Sequence, residues 1–260
     1  MIKLIYDGLS IEGDKVIYNP NIDNDNDIMN TLQPDIYRSK FIGRTYYFGY
    51  TFLPSSSRKD RTTIIKWLKN IDNLGIDDNT LRQFVDKPLY TLDDMIGFND
   101  ISCIVYPKSG RSNLTNIIVQ EISNFSQRDT TKTTAEFVKS IPKEVNFDWE
   151  MFDSEYDGII GDNQYKQIKD YVENTLLPKI HNLEYFSIAD NVKPKYRRYI
   201  KDYLTVDSRS ERIIKSIQKG NILIVDDINT SGATLTEILR IVRKLNESCE
   251  IYIFTLIGKE

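Results

Sequence analysis

The sequence predicts an α/β protein built on a mainly parallel sheet flanked by helices. Three observations carry this. Strand-like and helix-like segments alternate through the second half of the chain, the pattern of crossover connections between parallel strands. Segments such as Ile222-Leu223-Ile224-Val225 are continuously apolar, as strands covered on both faces are. The two loops richest in chemistry, 107–112 and 226–234, each follow such a strand, and ligands of parallel sheets bind at strand carboxyl ends.

The elements follow in order. Ile2, Leu4 and Tyr6 alternate, Gly8 and Gly13-Asp14 punctuate, and Val16-Ile17-Tyr18 resumes, which reads as a hairpin over 1–18. The polar run Asn21 to Asp27 reads as a loop, and the aromatic run Tyr46 to Phe52 as a strand. After the breaker Pro54 to Ser57, Asp60 is placed to cap a helix through Asn70 with Ile64, Ile65, Trp67 and Leu68 inward. A second helix runs from Asn79 to Asp86, ahead of Pro88. Ile101 to Tyr106 is a strand, and Leu114 to Ile122 the helix after it. Residues 124–180 are less regular, with a helix over Asn163 to Leu177. Tyr185 to Ala189 reads as a strand, and Ser210 as the cap of a helix through Gln218. Strand Ile222 to Val225, helix Ala233 to Leu245 and strand Glu250 to Ile257 close the chain.

Composition narrows the function classes. The 260 residues are 40% hydrophobic and 28% charged, enough for a packed core without disulfide or metal. With 34 basic and 38 acidic residues the net charge is -4, which argues against a dedicated nucleic-acid binder. Cys103 and Cys249 have no CxxC or Cys/His partner, and Cys103 reads as a small buried hydrophobe in Ile101-Ser102-Cys103-Ile104-Val105. The single histidine, His181, excludes a His-rich metal site and sits at a helix end. The segment Met1 to Gly8 lacks the apolar stretch of a secretion signal, and no apolar run approaches the ~20 residues that span a bilayer. A soluble, cytoplasmic protein is expected, with no membrane partner.

The strongest motif is Ile222-Leu223-Ile224-Val225-Asp226-Asp227-Ile228-Asn229-Thr230-Ser231-Gly232-Ala233-Thr234. A buried strand delivers two carboxylates, and a Thr/Ser/Gly turn then opens a helix. Backbone N–H groups at a helix N-terminus, with three hydroxyls, suit an anion. Gly232 permits close backbone approach. The carboxylates suit vicinal hydroxyls, each accepting two hydrogen bonds. A sugar phosphate satisfies both halves. The plainer alternative is a solvated Asp pair before a capped helix. No Gly-Lys-Ser/Thr occurs, so a Walker loop is excluded.

This segment resembles the phosphoribosyl-pyrophosphate (PRPP) signature of type I phosphoribosyltransferases, and the core looks closest to the competence-associated, ComF-like group. The resemblance implies a type I phosphoribosyltransferase fold over about 98–260, with an insertion at about 124–180. It also implies an N-terminal α+β region, 1–97, acting as a hood or acceptor lobe. Asp226 and Asp227 would hold the ribose 2′ and 3′ hydroxyls as catalytic residues and contact Mg²⁺ indirectly. Thr230, Ser231, Gly232, Ala233 and Thr234 would bind the 5′-phosphate. Lys108, Ser109, Gly110 and Arg111, in the loop after Ile104-Val105-Tyr106-Pro107, look like the family's pyrophosphate loop. Lys193, Lys195, Arg197 and Arg198, in the basic stretch 191–202, would lie in its mobile loop. An ordinary basic turn and a solvated basic face are the plainer readings of these two segments.

The implied activity is transfer of a phosphoribosyl group from PRPP to a nitrogen acceptor, with Mg²⁺ as cofactor and pyrophosphate released. The partners implied are PRPP, an acceptor and a second copy in a homodimer. Purine-salvage members carry an Asp where this chain has Thr230, which argues against hypoxanthine or guanine as acceptor. A non-catalytic PRPP or nucleotide sensor is the alternative, and a structural protein with a vestigial site is a third, weaker one.

Overall fold

The structure, a computed structural model, describes residues 3–6, 9–12, 15–18, 32–52, 58–71, 78–109, 112–125, 132–156, 159–218 and 220–258. The expected loop at 21–27 and breaker at 54–57 lie outside these residues, as do Gly110 and Arg111.

β1 (Lys3–Tyr6), β2 (Leu9–Glu12) and β3 (Lys15–Tyr18) form an antiparallel three-stranded sheet, one strand more than the expected hairpin. Next come β4 (Leu32–Phe41), β5 (Arg44–Phe52), α1 (Arg58–Leu68), α2 (Asp78–Ile96), β6 (Ile101–Pro107) and α3 (Leu114–Phe125). The chain continues through β7 (Thr133–Lys139), β8 (Asn146–Phe147), α4 (Trp149–Tyr156), α5 (Asp162–Tyr171), α6 (Leu177–His181) and α7 (Ile188–Asn191). It ends with β9 (Ile200–Lys201), β10 (Leu204–Val206), α8 (Ser208–Ser216), β11 (Asn221–Ile228), α9 (Ala233–Leu245) and β12 (Glu250–Gly258).

The fold is mixed α/β, with a mostly parallel seven-stranded sheet in the order β10-β7-β6-β11-β12-β5-β4. The pairs β6/β11, β11/β12 and β12/β5 are parallel, whereas β4/β5 and β7/β10 are antiparallel. Two compact units divide the chain. The first comprises 1–134, 217–230 and 248–260, and the second 135–216 and 231–247. Among the described residues no helix is long and apolar enough to cross a membrane.

In the first unit, Leu223, Val225, Ile104, Phe254, Leu256, Tyr47 and Tyr50 of the sheet share one core with α1, α2 and α3. The alternate row, with Ile222, Ile224, Cys103, Val105 and Ile253, is buried too, which explains the unbroken apolar strands. Burial pushes the Cys103 thiol up to about 11, and Cys249 is likewise buried.

Two helices differ from expectation here. α1 starts at Arg58, so Asp60 lies inside it and is not its cap. α2 does not stop before Pro88 but runs on to Ile96 with Pro88 inside it. An interior proline costs about 3 kcal/mol. Burial of Val85, Leu89 and Leu92, at about 1.5–3 kcal/mol each, outweighs that cost. Pro88 also lies against Gly49 of β5. A Cβ on Gly49 would fall 2.7 Å from the Pro88 Cβ and 3.2 Å from the Leu256 carbonyl oxygen. Gly49→Ala is therefore expected to cost about 1–3 kcal/mol by overpacking. A urea midpoint lowered at constant m-value is the expected signature.

In the second unit, the expected strand at Tyr185–Ala189 is absent. Ile188–Asn191 is instead the helical turn α7, and Tyr185 is exposed. The strand comes from the stretch read as irregular: β7 buries Ala135 and Phe137 and pairs with β10. The helix expected over Asn163 to Leu177 is α5, a π-helical turn at Val172–Leu176 and α6 in succession. Asp207, not Ser210, caps α8. Its Oδ1 accepts the Ser210 N–H at 2.6 Å, while the buried Ser210 Oγ accepts the Glu136 N–H at 3.2 Å. α9 has the expected limits.

Candidate functional site

β11 is flanked on both sides by parallel strands, with Ile224 beside Val105 of β6 and Ile253 of β12. It runs past the expected Val225 to Ile228, so both acids belong to the strand. Successive strand side chains point to opposite faces. Leu223 and Val225 belong to the core packed by α1, α2 and α3, and Ile228 belongs to it too, so strict alternation does not hold through the two acids.

The two carboxylates are not solvated. Asp226 is 8% exposed and Asp227 4%. Asp226 Oδ1 accepts the Asp227 N–H at 2.9 Å, and Asp227 Oδ1 accepts the Ile228 N–H at 2.6 Å. The counter-charge is Lys69, just beyond α1, whose Nζ lies 2.9 Å from Asp227 Oδ2. Burial acts to depress the Lys69 ammonium, but the charges of Asp227 and Asp226 outweigh it and hold its pKa above the ordinary value. Burial and the neighbouring Asp227 push the Asp226 carboxyl up to about 7, against the pull of Lys69.

Beyond the acids, Asn229 is fixed at two points. Its N–H donates to the Ile257 carbonyl at 2.8 Å, and its Nδ2 donates to the Tyr46 hydroxyl at 3.2 Å. That hydroxyl also bonds Thr255 Oγ1 at 2.7 Å. Burial drives the Tyr46 phenol up to about 12, so it stays protonated. The turn then exposes Thr230, and Gly232 adopts the left-handed conformation (φ 73°) at the N-cap of α9. Ser231 and Thr234 are half-buried and Ala233 is buried. The Gly232 carbonyl accepts the Thr236 N–H at 2.8 Å, leaving the first-turn N–H groups of α9 without intrahelical acceptors.

The 107–112 segment leaves the sheet beside this strand end. Lys108 stands three residues past Val105, as Asp227 does past Ile224, its parallel neighbour. Strands so paired lie about 4.8 Å apart, so the two loops leave one edge of the sheet side by side. Lys108 is exposed. Ser109 Oγ accepts the Ser112 N–H at 3.1 Å, and Ser112 Oγ accepts the Leu114 N–H at 3.2 Å, which ties the loop to the start of α3. Gly110 and Arg111 lie outside the described residues.

The basic stretch lies in the second unit, in a 3₁₀ turn at Pro194–Tyr199. Lys193 sits over the Tyr171 ring and Lys195 over the Tyr196 ring, 5.0 and 4.7 Å from their centroids. Arg197 donates to the carbonyls of Val192 and Ala189, and Arg198 pairs with Glu155. His181 bonds the Val145 carbonyl through Nε2 at 2.8 Å, a structural contact at the helix end expected for it.

Sequence reasoning missed Lys69, Tyr46 and Thr255. Each lies far in sequence from the motif, in a segment whose pattern signals only helix or strand. No group of three or more His, Cys, Asp or Glu side chains gathers among the described residues as a metal cage. No protein-family model and no curated protein matches the chain.

Proposed function

We propose that the chain is a type I phosphoribosyltransferase-like enzyme that transfers a phosphoribosyl group from PRPP to a nitrogen acceptor. The observation that carries this reading is the shared sheet edge. A buried carboxylate pair and a serine-bearing basic loop end adjacent parallel strands, and a Gly-turned helix N-terminus follows the pair. Buried carboxylates at such an edge are costly to keep ionised, and desolvated acids of this kind cluster at functional sites.

In this reading Asp226 and Asp227 accept the ribose hydroxyls and orient the sugar as its anomeric carbon gains positive charge. The turn 230–234 takes the 5′-phosphate on hydroxyls and first-turn N–H groups. Lys108, Ser109, Gly110 and Arg111 receive the departing pyrophosphate. Two carboxylates without a third ligand fit an Mg²⁺ ion that brings phosphate oxygens and water with it, rather than one held in a protein cage. When bound, that ion neutralises charge on the leaving group.

PRPP with Mg²⁺ is expected to stabilise the fold by about 2.7 kcal/mol at a hundredfold excess over its dissociation constant. A thermal-shift titration reads this directly, and a flat response at millimolar PRPP removes the proposal. Pyrophosphate release with nucleobases, ammonia or amines then separates the enzyme from a PRPP sensor.

A further inference from the structure

Lys69 is the unexplained member of this site. Ammonium groups usually extend into water, yet this one is mostly buried, with 27% of its side chain exposed, and is held 2.9 Å from the carboxylate of the buried Asp227. An ammonium carries three donors, and the contact to Asp227 uses one of them. Asp227 Oδ1 is engaged by the Ile228 N–H, so Lys69 occupies the oxygen that remains for an incoming hydroxyl donor.

We propose that Lys69 is a ligand-contacting residue of the site and the resident counter-ion of its carboxylates. The inference rests on the sugar-phosphate reading given above. In the free protein the ammonium neutralises Asp227 and keeps free divalent cations off the carboxylate pair. A ligand bearing vicinal hydroxyls and phosphate oxygens takes over Asp227 Oδ2, and Lys69 Nζ transfers to an anionic oxygen of that ligand. Metal then enters with the phosphorylated sugar and not before it. The specificity that follows is for a diol that also carries anionic oxygen within reach of Lys69, so a neutral sugar is excluded.

The test uses the full chain as parent, Lys69→Met and Lys69→Arg. Calorimetry with PRPP and Mg²⁺ is expected to show affinity reduced about tenfold or more in Lys69→Met and largely restored in Lys69→Arg. Paramagnetic resonance with Mn²⁺ alone is expected to show ion binding by Lys69→Met, with little by the parent. Unchanged PRPP affinity together with unchanged Mn²⁺ binding in Lys69→Met overturns the role and makes the pair a structural ion bridge. If the parent itself binds no PRPP, the reading of the site fails, and the ligand contact by Lys69 falls with it. The Mn²⁺ comparison still decides the counter-ion role in that case. Should Lys69→Met not fold, reductive methylation of the unmutated protein replaces it. PRPP with Mg²⁺ is expected to change the modification rate of Lys69 at least about fivefold by peptide mass spectrometry. An unchanged rate under saturating ligand overturns the transfer.

Discussion

Asp226→Asn combined with Asp227→Asn is expected to abolish the PRPP response, with a loss of at least about a hundredfold in affinity. Each carboxylate is assigned a ribose hydroxyl, and a hydrogen bond to a charged group contributes about 1.5–3 kcal/mol. Losing two such bonds removes about 3–6 kcal/mol, more than a hundredfold in affinity. The fold is expected to survive. Asparagine keeps an acceptor for the Asp227 and Ile228 N–H groups that the carboxylates now receive. The change also removes the cost of burying two like charges, which offsets the lost pairing with Lys69. Calorimetry together with circular dichroism of the double variant provides the check. Wild-type affinity in a folded double variant would show that the sugar binds elsewhere.

The single replacement Asp226→Asn is expected to act on the pH profile of stability. The Asp226 carboxyl is raised to about 7 in the fold by burial and by Asp227. In the unfolded chain it returns to about 4. Between those values the unfolded chain has released a proton that the folded chain keeps. Stability therefore falls as pH rises from about 4 to 7, and this contribution levels off above 7. A displacement of about three units corresponds to at most about 4 kcal/mol. Urea unfolding at pH 5 and pH 8 measures it. The parent is expected to lose stability from this group on going to pH 8, and Asp226→Asn to lose correspondingly less. Identical profiles in parent and variant would mean that Asp226 ionises in the fold as it does in the open chain.

Legibility in the sequence followed the balance between local and long-range causes. α9 was readable to the residue because its apolar stripe begins directly after Gly232, whose left-handed backbone a glycine adopts freely. β11 and β12 were readable because both of their faces are buried. A local pattern ends α2 ahead of Pro88, because the compensating burial of Val85, Leu89 and Leu92 and the place of Pro88 against Gly49 are tertiary. Tyr185–Ala189 reads as a strand yet forms none, because short apolar pieces carry no decisive period. The two acids and the turn were visible as a continuous motif. Their burial, and the lysine that makes burial tolerable, depend on where α1 ends relative to β11, which is a tertiary fact.

The placement of β5 bears on how this chain can be cut. β5 lies parallel to β12 from Tyr252 through Gly258, so residues from the first fifth of the sequence occupy an inner position of the sheet. A fragment starting near residue 98 would bare the β12 edge, a row that includes Ile253, Phe254 and Ile257. Such an uncovered apolar edge recruits other chains into aggregates. The same cut would discard Tyr46 and Lys69, stranding Asn229 and Asp227 without their partners. Trimming to the motif-bearing part would therefore yield an insoluble remnant rather than a minimal folded core.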